Sequence, residues 1–144
     1  MTGKRTPAGP HPAARRPVYV IDDDPSMERS LGRLLTVSEW QVQSFASAEA
    51  FLEDLDKLSR GFLVVDVQLP GISGLELLER LRESSQAWPA VVMSGSDDES
   101  IEREALRLGA RTFLHKPFAP QALLDALEEM AASSTVDPKR CWGR

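Results

Sequence analysis

Short apolar or alternating runs punctuate the chain at five places, and between them apolar residues recur three or four positions apart. Val18-Tyr19-Val20-Ile21, Phe62-Leu63-Val64-Val65 and Ala90-Val91-Val92-Met93 are apolar throughout and bounded by Pro, Gly, Asp or Ser. That pattern predicts strands buried on both faces. Residues 41–45 alternate instead, as a strand at a sheet edge does, and Thr112-Phe113-Leu114 is the fifth strand.

The intervening stretches have helical spacing. Met27, Leu31, Leu34 and Leu35 mark the first helix. Phe51, Leu55 and Leu58 mark the second, with Ser47 as N-cap. Leu75, Leu78 and Leu81 follow Ser73. Ile101, Ala105 and Leu108 precede a terminating Gly109, and Leu123, Leu124, Leu127 and Met130 mark the last helix. Strand and helix alternate five times. Apolar strands separated by amphipathic helices imply an α/β fold, a doubly wound parallel sheet covered on both faces. Right-handed crossovers favour the flavodoxin-like (βα)5 order 2-1-3-4-5. In such sheets chemistry lies beyond the carboxyl ends of the strands, where strands 1 and 3 part.

Composition sets the limits of the folded part. Residues 1–16 hold Pro7, Pro10, Pro12, Gly3 and Gly9 and cannot build a core, so they read as a disordered N-terminal tail. Residues 17–132 form the domain, and 133–144 read as a C-terminal tail. Of the net charge of −5, the first 16 residues contribute +4 and the remainder −9. An acidic body argues against direct nucleic-acid binding. The single cysteine, Cys141, fits a reducing compartment. No stretch reaches the roughly 20 apolar residues of a membrane span, so a cytoplasmic location is expected.

Strand 1 runs into Asp22-Asp23-Asp24, strand 3 into Asp66, strand 4 into Ser94 and strand 5 into His115-Lys116-Pro117. In this topology all four sets share one rim. Asp24 before Pro25 reads as a helix N-cap. Carboxylates brought together from strands 1 and 3 raise each other's pKa or require a cation. Oxygen ligands of this kind suit Mg²⁺, which holds one or two carboxylates and keeps room for a phosphate. A carboxylate can attack phosphorus, a lysine can neutralise a transferred phosphoryl group, and a serine hydroxyl can hydrogen-bond it.

The runs Val20-Ile21-Asp22-Asp23-Asp24, Leu63-Val64-Val65-Asp66-Val67-Gln68-Leu69-Pro70-Gly71-Ile72-Ser73-Gly74, Val91-Val92-Met93-Ser94-Gly95 and Phe113-Leu114-His115-Lys116-Pro117-Phe118 resemble, in order, the signatures of response-regulator receivers of two-component systems. The Pro-Gly-x-Ser-Gly and Lys-Pro-Phe runs are most similar to the FixJ branch. The resemblance implies that Asp66 accepts a phosphoryl group from a sensor histidine kinase or phosphotransfer protein. It implies that Asp22, Asp23 and Asp66, with the Gln68 backbone carbonyl, bind Mg²⁺ (or Mn²⁺), Asp23 more directly than Asp22. Lys116 would pair with the phosphoryl group, Ser94 would move toward it, and Phe113 would turn inward as a rotamer switch. A cis peptide is implied at Lys116-Pro117. The expected output is a changed surface of helix 4, strand 5 and helix 5 that selects a downstream protein or a homodimer. The protein is expected to be a signalling switch with self-catalysed phosphotransfer and dephosphorylation, not an enzyme acting on an external substrate.

Three positions depart from the FixJ-like pattern. Gln68 replaces a common arginine, Ser96 lies two residues after the hydroxyl, and His115 stands where an acid is common, a variant or a pH-sensitive neighbour of Lys116. A helix-turn-helix output domain is not expected in these 144 residues. Asp22-x-Asp24 is also similar to the strand-end Asp-x-Asp of haloacid-dehalogenase phosphatases. Those enzymes need an acidic pair where Lys116 stands, and they leave Asp66 unexplained.

Overall fold

The computed structural model describes residues 17–84 and 88–136. The predicted tail 1–16 lies outside the described residues, as do residues 137–144 with Cys141. Strands β1 (Val18–Ile21), β2 (Val42–Phe45), β3 (Phe62–Asp66), β4 (Ala90–Ser94) and β5 (Thr112–His115) form one parallel sheet in the order β2-β1-β3-β4-β5. Helices α1 (Pro25–Val37), α2 (Ala48–Asp54), α3 (Gly74–Glu83), α4 (Glu99–Arg107) and α5 (Pro120–Val136) connect or follow the strands. No helix among the described residues is long and apolar enough to cross a membrane.

The core divides as the strand period requires, since successive side chains leave opposite faces of a sheet. Tyr19, Ile21, Leu63, Val65, Ala90 and Val92 point to one face, where Phe51, Leu77, Leu78, Leu81, Ala105 and Leu108 of α2, α3 and the end of α4 cover them. Val18, Val20, Phe62, Val64, Val91 and Met93 point to the other, under Leu31 and Leu35 of α1 and Leu123, Ala126, Leu127 and Met130 of α5. Each fully buried large apolar side chain contributes about 1.5–3 kcal/mol relative to exposure. This double cover is why β3 and β4 are buried along their whole length. On the first face Tyr19, Phe45, Phe51 and Trp88 form a ring cluster with tilted or edge-on contacts, the geometry that ring quadrupoles favour.

Helix starts follow local chemistry. Asp24 caps α1, its carboxylate accepting the Ser26 amide at 2.9 Å, with Pro25 in the first turn. Ser47 caps α2, Ser73 caps α3 and Asp98 caps α4 in the same way.

Two boundaries differ from the sequence expectation. The second helix ends at Asp54 and passes into a 3₁₀ turn, Leu55–Lys57, instead of continuing through Leu58. Side chains three apart eclipse in a 3₁₀ turn, so Leu55 and Leu58 still reach the core. At the other end, α5 continues through Val136, four residues past the limit drawn at 132. Extending an established helix through serine or threonine costs less than about 0.7 kcal/mol per residue relative to alanine, whereas nucleation is the expensive step.

Candidate functional site

Parallel pairing in register places the ends of β1, β3, β4 and β5 side by side. Asp66 lies opposite Met93, and Ser94 opposite His115. Asp22 follows β1 directly and is 1% exposed; Asp66 is 5% exposed and Ser94 fully buried, so among the described residues these three are the buried polar ones, at the top of an otherwise apolar core. One carboxylate oxygen from each of Asp22, Asp23 and Asp66 lies within 4.8 Å of the others, with Asp23 on the solvent side. Lys116 reaches into the group, its Nζ 2.8 Å from Asp66 Oδ2 and 3.5 Å from Asp22 Oδ2.

Each side chain is held by nearby backbone. Asp22 Oδ1 accepts the Asp24 amide at 2.9 Å, which turns the chain out of β1 into the cap of α1. Asp66 Oδ1 accepts the Gln68 amide at 3.0 Å, leaving Oδ2 to Lys116. The Gln68 side chain is exposed. Ser94 Oγ accepts the Ser96 amide at 3.0 Å. Phe113 is half-buried against the α2–α3–α4 layer, its ring edge-on to His115 with centroids 5.0 Å apart. His115 lies 3.4 Å from Glu102 Oε1 of α4, outside the acidic pocket. The Lys116-Pro117 peptide is cis.

The start of α3 presses on the pocket from below. A Cβ at Gly74 would lie 2.4 Å from the Asp66 carbonyl oxygen, so only glycine allows this approach. Gly74→Ala is expected to displace the Asp66 backbone and to cost about 1–3 kcal/mol, as overpacking a filled site does. A urea midpoint equal to wild type would contradict that packing.

Electrostatics follow from three carboxylates meeting one ammonium. Burial pushes the Asp22 carboxyl above its ordinary value; the Asp24 amide and Lys116 oppose the shift, and the Asp66 charge adds to it. For Lys116 burial works to lower the pKa. The hydrogen bond and charge of Asp66, then those of Asp22, outweigh burial and hold the ammonium above its usual value. This surplus of buried negative charge on hard oxygen donors fits a divalent cation of the Mg²⁺ type.

A raised Asp22 pKa means that the native state holds more protons than the unfolded chain between the ordinary and the raised values. Stability therefore falls as pH rises from the ordinary value through the raised one, and the penalty is complete only above the raised value. Asp22→Asn removes it. Without metal at pH 7, the variant is expected to be more stable by about 0.5–2 kcal/mol, a gain typical of relieving a strained functional site. The advantage should disappear in acid below the ordinary carboxyl pKa. An unchanged urea midpoint at pH 7 would contradict the charge surplus.

Sequence reasoning located Asp22, Asp23, Asp66, Ser94 and Lys116 on one rim, and the structure brings all five there. It passed over Glu49, whose Oε2 accepts the Ile72 amide in the loop after Asp66, and the hydroxyl and carboxylate links that join Ser94 to α4. On sequence Glu49 is an acid in the first turn of a helix, with nothing to distinguish it from a favourable helix-end charge.

Comparison with known proteins identifies the family. Residues 18–128 match the family model of the response regulator receiver domain. The transcriptional regulatory protein FixJ of Bradyrhizobium diazoefficiens is 42% identical over 111 residues, covering 77% of this chain and 54% of that protein. FixJ of Azorhizobium caulinodans is 45% identical over 111 residues, covering 77% and 53%. The chain thus spans about half the length of the curated relatives it matches. The crystal structure of FixJ-N superposes with a TM-score of 0.76 at 33% identity, covering 81% of this chain and 94% of that one. The chain belongs to the response regulator receiver domain family, the phospho-accepting module of two-component signalling.

Proposed function

We propose that residues 17–132, with the end of α5, form a switch in which the Asp66 carboxylate accepts a phosphoryl group from the phosphohistidine of a sensor kinase or phosphotransfer protein. The observation that carries this reading is the convergence of Asp22, Asp23 and Asp66 within 4.8 Å with the Lys116 ammonium 2.8 Å from Asp66. In the step, an Asp66 oxygen bonds to phosphorus as the phosphorus–nitrogen bond of the donor breaks and the imidazole leaves. The Gln68 amide holds one Asp66 oxygen, which fixes the carboxylate plane. Lys116, already charged and in place, meets the incoming negative charge without reorganisation. Asp22, Asp23, Asp66 and the Gln68 carbonyl would hold Mg²⁺ or Mn²⁺, which supplies charge neutralisation to the phosphoryl oxygens. The same residues would serve phosphotransfer from small donors and self-dephosphorylation.

A chain of turns can carry the signal outward. Ser94 Oγ accepts from the Ser96 amide, Ser96 Oγ from the Asp98 amide at 3.1 Å, and Asp98 Oδ1 from the Ser100 amide at 2.9 Å inside α4. A phosphoryl oxygen that draws Ser94 Oγ away breaks the first link, and the start of α4 follows. Phe113, half-buried on β5 and paired in register with Val92 of β4, fills the space left by Ser94. The altered α4–β5–α5 face then selects a downstream protein or a second copy, a population shift driven by charge added at Asp66. Peptide mapping after exposure to a small phosphodonor should place an acid-labile, Mg²⁺-dependent phosphate on Asp66. A label on another residue, or none, would end this reading.

A further inference from the structure

The β3–α3 loop begins one residue after Asp66 and carries Gln68. Its two ends are tied to Val67, whose carbonyl accepts the amides of Leu69 and Gly74, both at 3.1 Å. The middle of the loop is held by a side chain from another element. Glu49, in the first turn of α2, accepts the Ile72 amide on Oε2 at 3.0 Å. The neighbouring Gly71 lies at φ +74, and the Glu49 carboxylate occupies the space its missing side chain leaves. A Cβ at Gly71 would come within 2.2 Å of Oε2. The Ile72 amide, followed by the amide of Glu49 itself, holds the Glu49 carboxyl below its usual range, so it accepts this bond as an anion.

We propose that Glu49 is a positioning residue for the divalent cation: by clamping the loop at Ile72 it sets the direction of the Gln68 carbonyl. This rests on the reading that Asp22, Asp23, Asp66 and the Gln68 carbonyl hold Mg²⁺. A backbone carbonyl cannot swing toward an ion independently, because the φ and ψ of its own loop aim it. Mg²⁺ demands near-ideal octahedral geometry, so an ill-aimed ligand is lost and not accommodated. Partners that orient metal ligands typically alter affinity about 10–100-fold when removed. Glu49 touches neither the ion nor the phosphoryl group; it acts through four residues of backbone.

The test is a Mg²⁺ titration of the full chain, without any phosphodonor, read by calorimetry and by amide shifts of Asp23 and Gln68. Three variants separate position from charge. Glu49→Ala removes both, and a Kd about tenfold weaker than wild type is expected. Glu49→Gln keeps an acceptor oxygen at the same reach but loses the charge. A neutral acceptor bonds roughly half as strongly, so its Kd should stay within about threefold of wild type. Glu49→Asp keeps the charge but withdraws it by one methylene; it should resemble Glu49→Ala and show faster hydrogen exchange at the Ile72 amide. If Glu49→Ala fails to fold, the Gln and Asp variants still decide. Tight binding in Glu49→Asp with weak binding in Glu49→Gln would reveal a plain charge effect and overturn the proposal, as would three variants all equal to wild type. Failure of wild type itself to bind Mg²⁺ saturably would instead overturn the metal-site reading.

Discussion

Asp66→Asn is expected to abolish phosphoryl uptake, with incorporation from a small phosphodonor and Mg²⁺ falling by more than about 1,000-fold, because an uncharged amide is no nucleophile toward phosphorus. The substitution keeps the size of the side chain and the oxygen that accepts the Gln68 amide. It also removes one of the carboxylates that crowd the pocket. The loss of the Lys116 pairing offsets that relief, so the variant should fold with a stability near that of wild type. The check is acid-labile phosphate per chain, beside a urea curve on the same preparation. Incorporation near the wild-type level would show that another residue is the acceptor, and the assignment of the pocket would fall with it.

Lys116→Ala should produce the second large effect, in two observables at once. Its Nζ is the donor aimed at Asp66 Oδ2, and removing one preorganised donor to developing charge typically costs about 10²–10³ in rate. The variant should be phosphorylated on Asp66 at a rate lower by that factor, with the site of the label unchanged. Stability should also fall, because Asp22 and Asp66 are left buried without their ammonium. Lys116 is itself one-fifth exposed and water partly replaces it, so about 1–3 kcal/mol is expected. The pKa directions set the pH behaviour. The raised Lys116 value means that its contribution is complete below the ordinary lysine pKa and is lost only as pH rises through the raised value. The stability gap between wild type and variant should be flat through neutral pH and close in strong alkali. A gap that changed between pH 6.5 and 8 would point to a different titrating group. A wild-type phosphorylation rate in Lys116→Ala would remove Lys116 from the chemistry.

Much of this architecture is legible in one dimension. Buried strands cannot alternate polar and apolar residues, so β1, β3 and β4 stand out as uninterrupted apolar runs. Their ends are marked where the first polar residues appear, and in a parallel sheet every strand ends on the same rim. That is why Asp22, Asp66, Ser94 and Lys116 could be grouped without coordinates. Asp24 and Ser47 were readable as caps because an N-cap needs only its own side chain and amides two or three residues ahead. The shortening of α2 was not legible, because the spacing of Leu55 and Leu58 suits an α-helix and a 3₁₀ turn alike. The extension of α5 was missed because serine and threonine read as tail by composition, yet cost a nucleated helix little.

The sequence alone determined which chemical groups meet, since strand ends follow from patterning that acts over a few residues and the handedness of the crossovers limits the strand order. Tertiary structure alone decided how they are held. Lys116 chooses Asp66 over Asp22 by 2.8 against 3.5 Å, Gly74 brings α3 onto the Asp66 backbone, and Glu49 reaches 23 residues along the chain to fasten the loop after Asp66. The reason is one of range. Burial and periodicity are written residue by residue, whereas a hydrogen bond between separate elements depends on distances of a few tenths of an ångström that only the packed layers fix.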